Sequence, residues 1–273
     1  MQERTVFIIS DRTGITAETM CHSLLSQFPG VEFKTVALPY VDSDDKVNDA
    51  VTQINKCATN SAAKPLVFTT LVHDRQRILL RNADAVFFDL FDTFIDPLEK
   101  ELGIDSSQST GQIHGVVDPQ RYTSRISAVN YTMHCDDGLN TSDYGRAALI
   151  LLGVSRSGKT PTCLYLALHF GIFVANFPLT DDEFDTNTLP KSVQKHKQKC
   201  FGLSIKPERL QQIRQERMAN SRYARLQQCQ YEVKNAESLY RNEGIEFLNT
   251  TAMSIEEITT TIIQRKNIRR DFY

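Results

Sequence analysis

The chain has 273 residues, with 41% hydrophobic and 23% charged side chains and a formal net charge of −2, which is typical of a globular protein with one or two domains. No apolar run approaches the roughly 20 residues of a membrane-spanning helix, and the near-neutral charge does not fit a general nucleic-acid binder. The charged N-terminus and six scattered cysteines without a C-x-x-C pair predict a cytoplasmic protein lacking a signal peptide, a zinc site and a disulfide framework.

The first hundred residues alternate strand and helix patterns. Short apolar runs predict strands, and apolar residues at helical spacing predict the helices between them. The predicted strands are 5–10, 32–41 and 64–72, and the predicted helices are 15–28 and 43–58. Alternation on this scale is typical of βαβ units, so we expect a parallel sheet.

The segment 84–102 allows two interpretations. Its AVFFD run ends in Asp89 and resembles a Walker B strand, but the apolar residues Phe87, Phe91, Phe94 and Leu98 recur at helical spacing. The spacing favours an amphipathic helix over the Walker B strand.

A stretch rich in Gly, Ser, Thr, Gln and Pro follows, from Gly103 to about Ser124. This composition is typical of a linker. We therefore predict a first α/β domain at 1–103, a linker and connecting helix at 104–140, and a second domain at 141–273.

The second domain opens with an apolar strand and continues the alternation. Strands are predicted at 148–154, 172–179, 200–205 and 245–249, with a helix ended by Gly171, a looser stretch at 180–199 and two polar helices. Ser254 and Glu257 form a capping-box pattern before the last helix. The predicted fold class is α/β: an N-terminal parallel-sheet α/β domain followed by a P-loop kinase-like α/β domain.

The strongest motif follows the strand 148–154. The loop reads GVSRSGKT and matches G-x-x-x-x-G-K-[ST] at every fixed position; its residues are Gly153, Val154, Ser155, Arg156, Ser157, Gly158, Lys159 and Thr160. In such a loop the backbone N–H groups surround nucleotide phosphates at the positive end of the next helix. Lys159 then reaches the terminal phosphates and the Thr160 hydroxyl binds Mg²⁺. The motif predicts a nucleotide site.

Residues elsewhere favour a kinase over a GTPase or an ABC-type protein. The N-K-x-D motif and an ABC signature are absent, and the segment 191–241 carries six Lys and six Arg against four Glu. Arginines after a P-loop can cover the transferring phosphoryl group and neutralise its charge. Arg214 and Arg217 share one helix face, so they are the predicted catalytic pair; an exposed helix face is the alternative.

A carboxylate near the loop is needed to accept a proton. His134-Cys135-Asp136-Asp137-Gly138 offers two, and Asp137 is the predicted catalytic residue because the glycine beside it leaves room for close approach. The alternative is that D-D-G is simply a turn. His134 is expected to be structural.

The N-terminal loop after strand 5–10 is a second candidate site. It ends a strand and opens a helix, where open α/β sheets bind ligands. The predicted anion or substrate contacts are Ser10, Asp11, Thr13, Gly14 and Thr16. The alternative is a well-formed turn in which Thr16 caps the helix.

Several segments together resemble a known family. SDRTGITAET, MHCDDG, LLGVSRSGKTPTCLYLA, ANFPL, FGLSIKPERLQQIRQER, NSRYA and SIEEI occur in an order similar to that of the bacterial phosphoenolpyruvate synthetase regulatory proteins. The regulators of pyruvate, phosphate dikinase belong to the same family. The resemblance covers essentially the whole chain.

The resemblance implies two activities in one protein. One phosphorylates a threonine of phosphoenolpyruvate synthetase with ADP as donor and inactivates it. The other removes that phosphate with inorganic phosphate, forms pyrophosphate and restores activity. The implied cofactors are ADP, inorganic phosphate and Mg²⁺. Two alternatives remain: the same chemistry with pyruvate, phosphate dikinase as the target, and a kinase that acts on a small molecule. A homo-oligomer is possible, and the oligomeric state stays open.

Overall fold

The computed structural model describes residues 2–107, 119–219 and 221–268. The chain divides into two compact units, Met1–Val117 and Asp118–Tyr273, and each is described by itself. No helix among the described residues has both the length and the apolar character needed to cross a membrane.

The first unit is a four-stranded parallel sheet with helices on both faces. Its sheet order is β2-β1-β3-β4. The strands are β1 (Gln2–Ile9), β2 (Val31–Leu38), β3 (Leu66–Thr69) and β4 (Val86–Asp89), and the helices are α1 (Ile15–Leu25), α2 (Asp44–Asn60), α3 (Asp74–Leu80) and α4 (Leu90–Leu102). Separate apolar clusters form on the two faces of the sheet, as expected when parallel strands are covered on both sides.

The segment 84–102 forms both a strand and a helix. Phe87 lies in β4, the edge strand of the first sheet, so the prediction of a helix that includes it is wrong at this residue. Phe91, Phe94 and Leu98 lie in α4, as predicted. The Asp89 carboxylate accepts a hydrogen bond from the backbone N–H of Asp92 at 3.0 Å and so caps α4. In the described structure Asp89 therefore has a local capping role in the first unit.

The second unit is another four-stranded parallel sheet, of order β6-β5-β7-β8. Its strands are β5 (Leu149–Gly153), β6 (Val174–Pro178), β7 (Cys200–Ser204) and β8 (Phe247–Asn249). Its helices are α5 (Pro119–His134), α6 (Lys159–Phe170), α7 (Asp181–Thr186), α8 (Lys191–Gln194), α9 (Pro207–Arg217), α10 (Leu226–Asn242) and α11 (Ile255–Arg265). The prediction of two parallel α/β units is confirmed.

The centre of the second sheet is fully buried. Every residue of β5 and β7 is buried, and apolar clusters cover both faces. The hydroxyl of Tyr240 donates to the backbone oxygens of Leu152 and Leu203, at 3.1 and 3.2 Å. A Cβ on Gly202 would lie 2.8 Å from the Tyr240 ring, so glycine is required at this close approach.

Two local sequence predictions can be compared with this unit. The capping box is confirmed, because Ser254 and Glu257 bond to each other's backbone N–H groups at the start of α11. Helix α5 occupies part of the range 104–140, which was predicted as linker and connecting helix; residues 108–118 of that range lie outside the described residues.

Candidate functional site

The predicted phosphate loop, Gly153–Thr160, connects the buried strand β5 to helix α6. Gly158 has a φ of 96° and Arg156 a φ of 73°, so the backbone turns through the left-handed region twice. That conformation is ordinary for glycine and strained for arginine. A Cβ on Gly153 would lie 2.5 Å from Ser157 Oγ and 2.9 Å from the Leu203 oxygen. The first glycine of the motif therefore serves close packing.

Lys159 lies at the base of this loop and is almost completely buried, with 5% of its surface exposed. Its ammonium donates to the backbone oxygen of Val154 at 3.0 Å. Burial lowers the pKa of Lys159 to about 8, and the nearby carboxylates of Asp137 and Asp136 oppose this shift. In this structure the ammonium is therefore bonded to a carbonyl of the predicted phosphate loop.

The loop forms one wall of an open cavity of about 960 Å³. Lys159 and Thr160 line it together with Asp136, Asp137 and residues of the segment 213–223. The volume is in the range of small-molecule and cofactor sites. The predicted loop and the predicted carboxylate thus face one space.

Asp136 is bonded directly to the loop residue Thr160. The Thr160 hydroxyl lies 3.1 and 3.4 Å from the two carboxylate oxygens of Asp136. The Asn176 amide nitrogen lies 2.5 Å from the same carboxylate and 3.0 Å from the Thr160 oxygen. Three side chains from the 136–138 turn, α6 and β6 therefore form one hydrogen-bonded group.

Asp137 is exposed at the cavity and has an unusual backbone. Its φ of 47° is left-handed, a conformation that costs on the order of 1–3 kcal/mol and persists only where the surroundings impose it. The next residue, Gly138, also has a positive φ, and a Cβ there would lie 3.2 Å from Pro178 Cδ. The strained turn presents the Asp137 carboxylate to the same space as Lys159.

His134 stabilises this turn from the other side. Its Nε2 lies 3.0 Å from an Asp143 carboxylate oxygen, and the Asn140 amide donates to the His134 backbone oxygen at 2.7 Å. These contacts agree with the structural role expected for His134.

The structure gives the two predicted catalytic arginines different environments. Arg217 is exposed and lines the cavity. Arg214 is fully buried and pairs with Glu232, at 2.6 and 3.1 Å. Arg214 therefore does not have the exposed position expected of a lid arginine over a phosphoryl group. The rotation of α9 about its axis directs the Arg214 side chain into the core.

Arg214 also bonds to the loop and to Tyr223. It donates to the backbone oxygens of Ser155 and Tyr223, both at 3.0 Å, and its guanidinium lies 4.0 Å from the centroid of the Tyr223 ring. The Tyr223 hydroxyl is 2.8 Å from Ser155 Oγ. Arg214 thus connects α9, α10, the segment around Tyr223 and the predicted phosphate loop.

The N-terminal loop uses its polar groups within the first unit. The buried Asp11 carboxylate accepts from the backbone N–H of Val72 at 3.3 Å, and burial raises the pKa of Asp11. Ser10 Oγ accepts from the Arg12 N–H at 3.3 Å, and the Ser10 carbonyl from the Val41 N–H at 2.9 Å. These bonds stabilise the turn between β1 and α1.

The remaining predicted residues of this loop lie at its outer side. Thr13 and Thr16 are exposed. The interpretation of Thr16 as the helix cap is wrong: α1 begins at Ile15, and Gly14 precedes it with a φ of 79° and no side-chain capping bond. Glycine adopts this left-handed cap conformation without the penalty of a Cβ.

The sequence of this chain matches a family model and several named relatives. The model of the kinase/pyrophosphorylase family matches residues 6–263. The chain belongs to this family. A relative from Alkalilimnicola ehrlichii is 52% identical over 270 residues, covering 99% of this chain and 98% of the relative. Relatives from Alcanivorax borkumensis and Bordetella pertussis are each 50% identical over 268 residues, covering 98% of both chains. All three carry the name "Putative phosphoenolpyruvate synthase regulatory protein".

Three residues of the candidate site are not singled out by the sequence patterns. Asp136 bonds to Thr160, Asn176 bonds to both, and Tyr223 contacts Ser155 and Arg214. All three lie in segments that carried the family resemblance, MHCDDG, ANFPL and NSRYA. No spacing rule predicts these contacts, which join residues 9 to 68 positions apart.

Proposed function

We propose that this protein is a bifunctional regulator of phosphoenolpyruvate synthetase. It phosphorylates a threonine of that enzyme with ADP as donor, and it removes the phosphate with inorganic phosphate to form pyrophosphate. The proposal is carried by one observation: buried Lys159, the Thr160 hydroxyl and exposed Asp137 line the same cavity. The family and the names of the relatives support this target, and the cytoplasm is the proposed location.

In the phosphorylating direction, the cavity holds ADP through the predicted phosphate loop. The Lys159 ammonium leaves the Val154 carbonyl and binds the β-phosphate. The threonine oxygen attacks the β-phosphorus, the bond between that phosphorus and its bridging oxygen breaks, and AMP leaves. The Asp137 carboxylate accepts the proton of the threonine hydroxyl as general base.

In the opposite direction, the phosphoryl group of the phosphothreonine takes the place of the nucleotide's β-phosphate, and inorganic phosphate takes the place of its α-phosphate. An oxygen of inorganic phosphate attacks the phosphothreonine phosphorus, and the bond from that phosphorus to the threonine oxygen breaks. Asp137, which takes up a proton from water before this step, gives it to the threonine oxygen as general acid, and pyrophosphate is released. Lys159 and the exposed Arg217 reduce the repulsion between the two anions and the charge that develops between them. One set of residues thus serves both directions.

Mg²⁺ fits the oxygen atoms that the site offers. Within the described ranges no three His, Cys, Asp or Glu side chains converge as a metal site. Mg²⁺ at phosphate sites commonly uses one or two protein oxygens, with phosphate and water completing its shell. The Thr160 hydroxyl and the Asp136 carboxylate, 3.1 Å apart, would hold it there, where Mg²⁺ neutralises phosphate charge.

The test uses ADP labelled at the β-phosphate, the purified protein, and phosphoenolpyruvate synthetase phosphorylated on its catalytic histidine. We expect label on a threonine of the synthetase, and its release as pyrophosphate when inorganic phosphate is added. Asp137→Asn should bind ADP with near-normal affinity but transfer the label at least 100-fold more slowly.

Three outcomes distinguish the alternatives. Label on pyruvate, phosphate dikinase alone would keep the chemistry and change the target. Transfer from ATP to a small molecule, with none from ADP to protein, would contradict the proposal and leave a small-molecule kinase. Tight ADP binding without any transfer would indicate a nucleotide-sensing module.

A further inference from the structure

A fully buried asparagine, Asn176, lies in the middle of β6. It has 0% exposure, although asparagine is disfavoured in strands and burial of an amide costs free energy unless it is hydrogen-bonded. Its backbone N–H donates to the Cys135 oxygen at 3.2 Å, and its backbone oxygen accepts from the Tyr144 hydroxyl at 3.1 Å. The backbone of Asn176 is therefore fixed against the segment that carries Asp136 and Asp137.

The side-chain nitrogen of Asn176 has three acceptors nearby. It lies 2.5 Å from Asp136 Oδ1, 3.0 Å from Thr160 Oγ1 and 3.4 Å from Asp137 Oδ1. An amide nitrogen has only two N–H groups. The two short distances identify Asp136 and Thr160 as its main partners.

These bonds fix the proton of the Thr160 hydroxyl. The hydroxyl donates its only proton to Asp136 and accepts one N–H from Asn176. A hydroxyl oxygen has two lone pairs, so one remains unused. The network thus turns the Thr160 oxygen into an acceptor with a free lone pair, which is what a cation requires of a ligand.

The amide oxygen of Asn176 gives the second observation. It is buried, and no hydrogen-bond partner is found for it among the described residues. An unsatisfied buried acceptor costs about 1–3 kcal/mol. A reversed amide would direct this oxygen at the Asp136 carboxylate, so the carboxylate determines the orientation. The amide is better suited to orienting its neighbours than to stabilising the strand.

We propose that Asn176 is a positioning residue for a divalent cation: its amide orients the Asp136 carboxylate and the Thr160 hydroxyl so that an oxygen of each faces Mg²⁺ carried by the nucleotide phosphates. This deepens the proposed function and rests on it, since the cation arrives with the nucleotide. Asn176 itself does not touch the cation; it acts through the two residues that do.

The test is Mn²⁺ binding in the presence of saturating ADP, measured by electron paramagnetic resonance on wild type and Asn176→Leu. Groups that orient metal ligands typically contribute 10- to 100-fold in affinity, so we expect Mn²⁺ to bind at least tenfold more weakly to the variant. ADP affinity in EDTA should stay within twofold. The melting temperature should change little, because leucine at similar volume removes an unsatisfied buried acceptor, which offsets the loss of the two amide hydrogen bonds.

The control is Asn242→Leu, the same change at an exposed asparagine at the end of α10, which should leave all three quantities unchanged. Unchanged Mn²⁺ affinity in Asn176→Leu would overturn the proposal. So would parallel losses of ADP affinity and melting temperature, which a merely structural asparagine predicts. If Asn176→Leu does not fold, the measurement is repeated with Asn176→Thr, because threonine suits a strand. Mn²⁺ binding at least tenfold weaker than in wild type would again support the proposal, and unchanged Mn²⁺ affinity would overturn it.

The measurement requires no protein substrate. Failure to label phosphoenolpyruvate synthetase would therefore contradict the proposed function, while the Mn²⁺ measurement would still decide the role of Asn176.

Discussion

The two loops that open α1 and α6 share a strand–turn–helix pattern and differ in what their polar groups contact. Each follows a buried parallel strand and precedes a helix. In the N-terminal loop, Ser10 and Asp11 bond to backbone groups of their own unit. In the predicted phosphate loop, Lys159 and Thr160 line a cavity. The shared pattern therefore does not determine what the polar side chains of such a loop contact; the surrounding tertiary structure does.

Each loop is also stabilised by one buried charged residue. Arg214 holds the Ser155 carbonyl of the predicted phosphate loop, and Asp11 holds the Val72 N–H beside the N-terminal loop. Arg214 is paired with the Glu232 carboxylate, whereas burial raises the pKa of the Asp11 carboxyl and the Val72 hydrogen bond opposes that shift. The following predictions test this comparison, from the largest expected effect to the smallest.

Arg214→Met should produce the largest loss of stability. The change leaves the Glu232 carboxylate, whose side chain is 14% exposed, without its cation, and breaking a buried pair costs roughly 3–5 kcal/mol. Urea unfolding would measure this. Arg217→Met, on the exposed side of the same helix, should leave stability unchanged and slow phosphoryl transfer. Equal effects of the two substitutions would contradict the distinction between them.

Lys159→Met should abolish productive nucleotide binding while the protein stays folded. Methionine fills most of the buried lysine's volume but cannot bind phosphate, and we expect ADP affinity to fall at least 100-fold, about 3 kcal/mol. Calorimetric titration would measure it. Lys234→Met, at an exposed position of α10, is the control. Retained affinity in Lys159→Met would show that the loop does not bind the nucleotide as proposed.

The lowered pKa of Lys159 predicts proton uptake on binding. With a pKa of about 8 in the free protein, the ammonium loses its proton as pH rises above 8, and bound phosphate should raise that pKa. ADP affinity should therefore decline above pH 8, and titrations in buffers of different ionisation enthalpy should show uptake of up to one proton. Lys159→Met should show none.

The lowered pKa of Lys159 also makes the free energy of unfolding depend on pH. Between pH 8 and the ordinary lysine pKa, the unfolded chain still binds the proton that the folded site releases. The Lys159 contribution to the stability of the ligand-free protein should therefore rise with pH in that window. Below pH 8 both states are protonated, and the contribution is constant.

Asp11→Asn should have the smallest effect. The amide oxygen can still accept from Val72, and the substitution removes a buried charge, so the free energy of unfolding should change by no more than about 1 kcal/mol. ADP affinity should stay within twofold.

A phosphoryl-transfer assay of Asp11→Asn and Thr16→Ala distinguishes the two interpretations of the N-terminal loop. Normal rates would show that the loop is a structural turn, whereas a tenfold lower rate at normal ADP affinity would show that it is a substrate site.

Much of this molecule could be predicted from local patterns. The βαβ alternation, the GVSRSGKT loop and the Ser254–Glu257 capping box depend on residues close together in the chain, where spacing and propensity are informative. The cap of α1 was assigned to the wrong residue. Glycine caps through its backbone conformation, and that conformation is not visible in a side-chain pattern.

The sequence by itself determined two parallel α/β units, the position of the loop Gly153–Thr160 and a nearby acidic turn. Only the tertiary structure decided which groups share that site: Arg214 is directed into the core and Arg217 to the cavity, and β6 brings Asn176 to Asp136 and Thr160. The physical reason is that strand and helix periods are local, whereas sheet order and helix rotation depend on the packing of the whole unit.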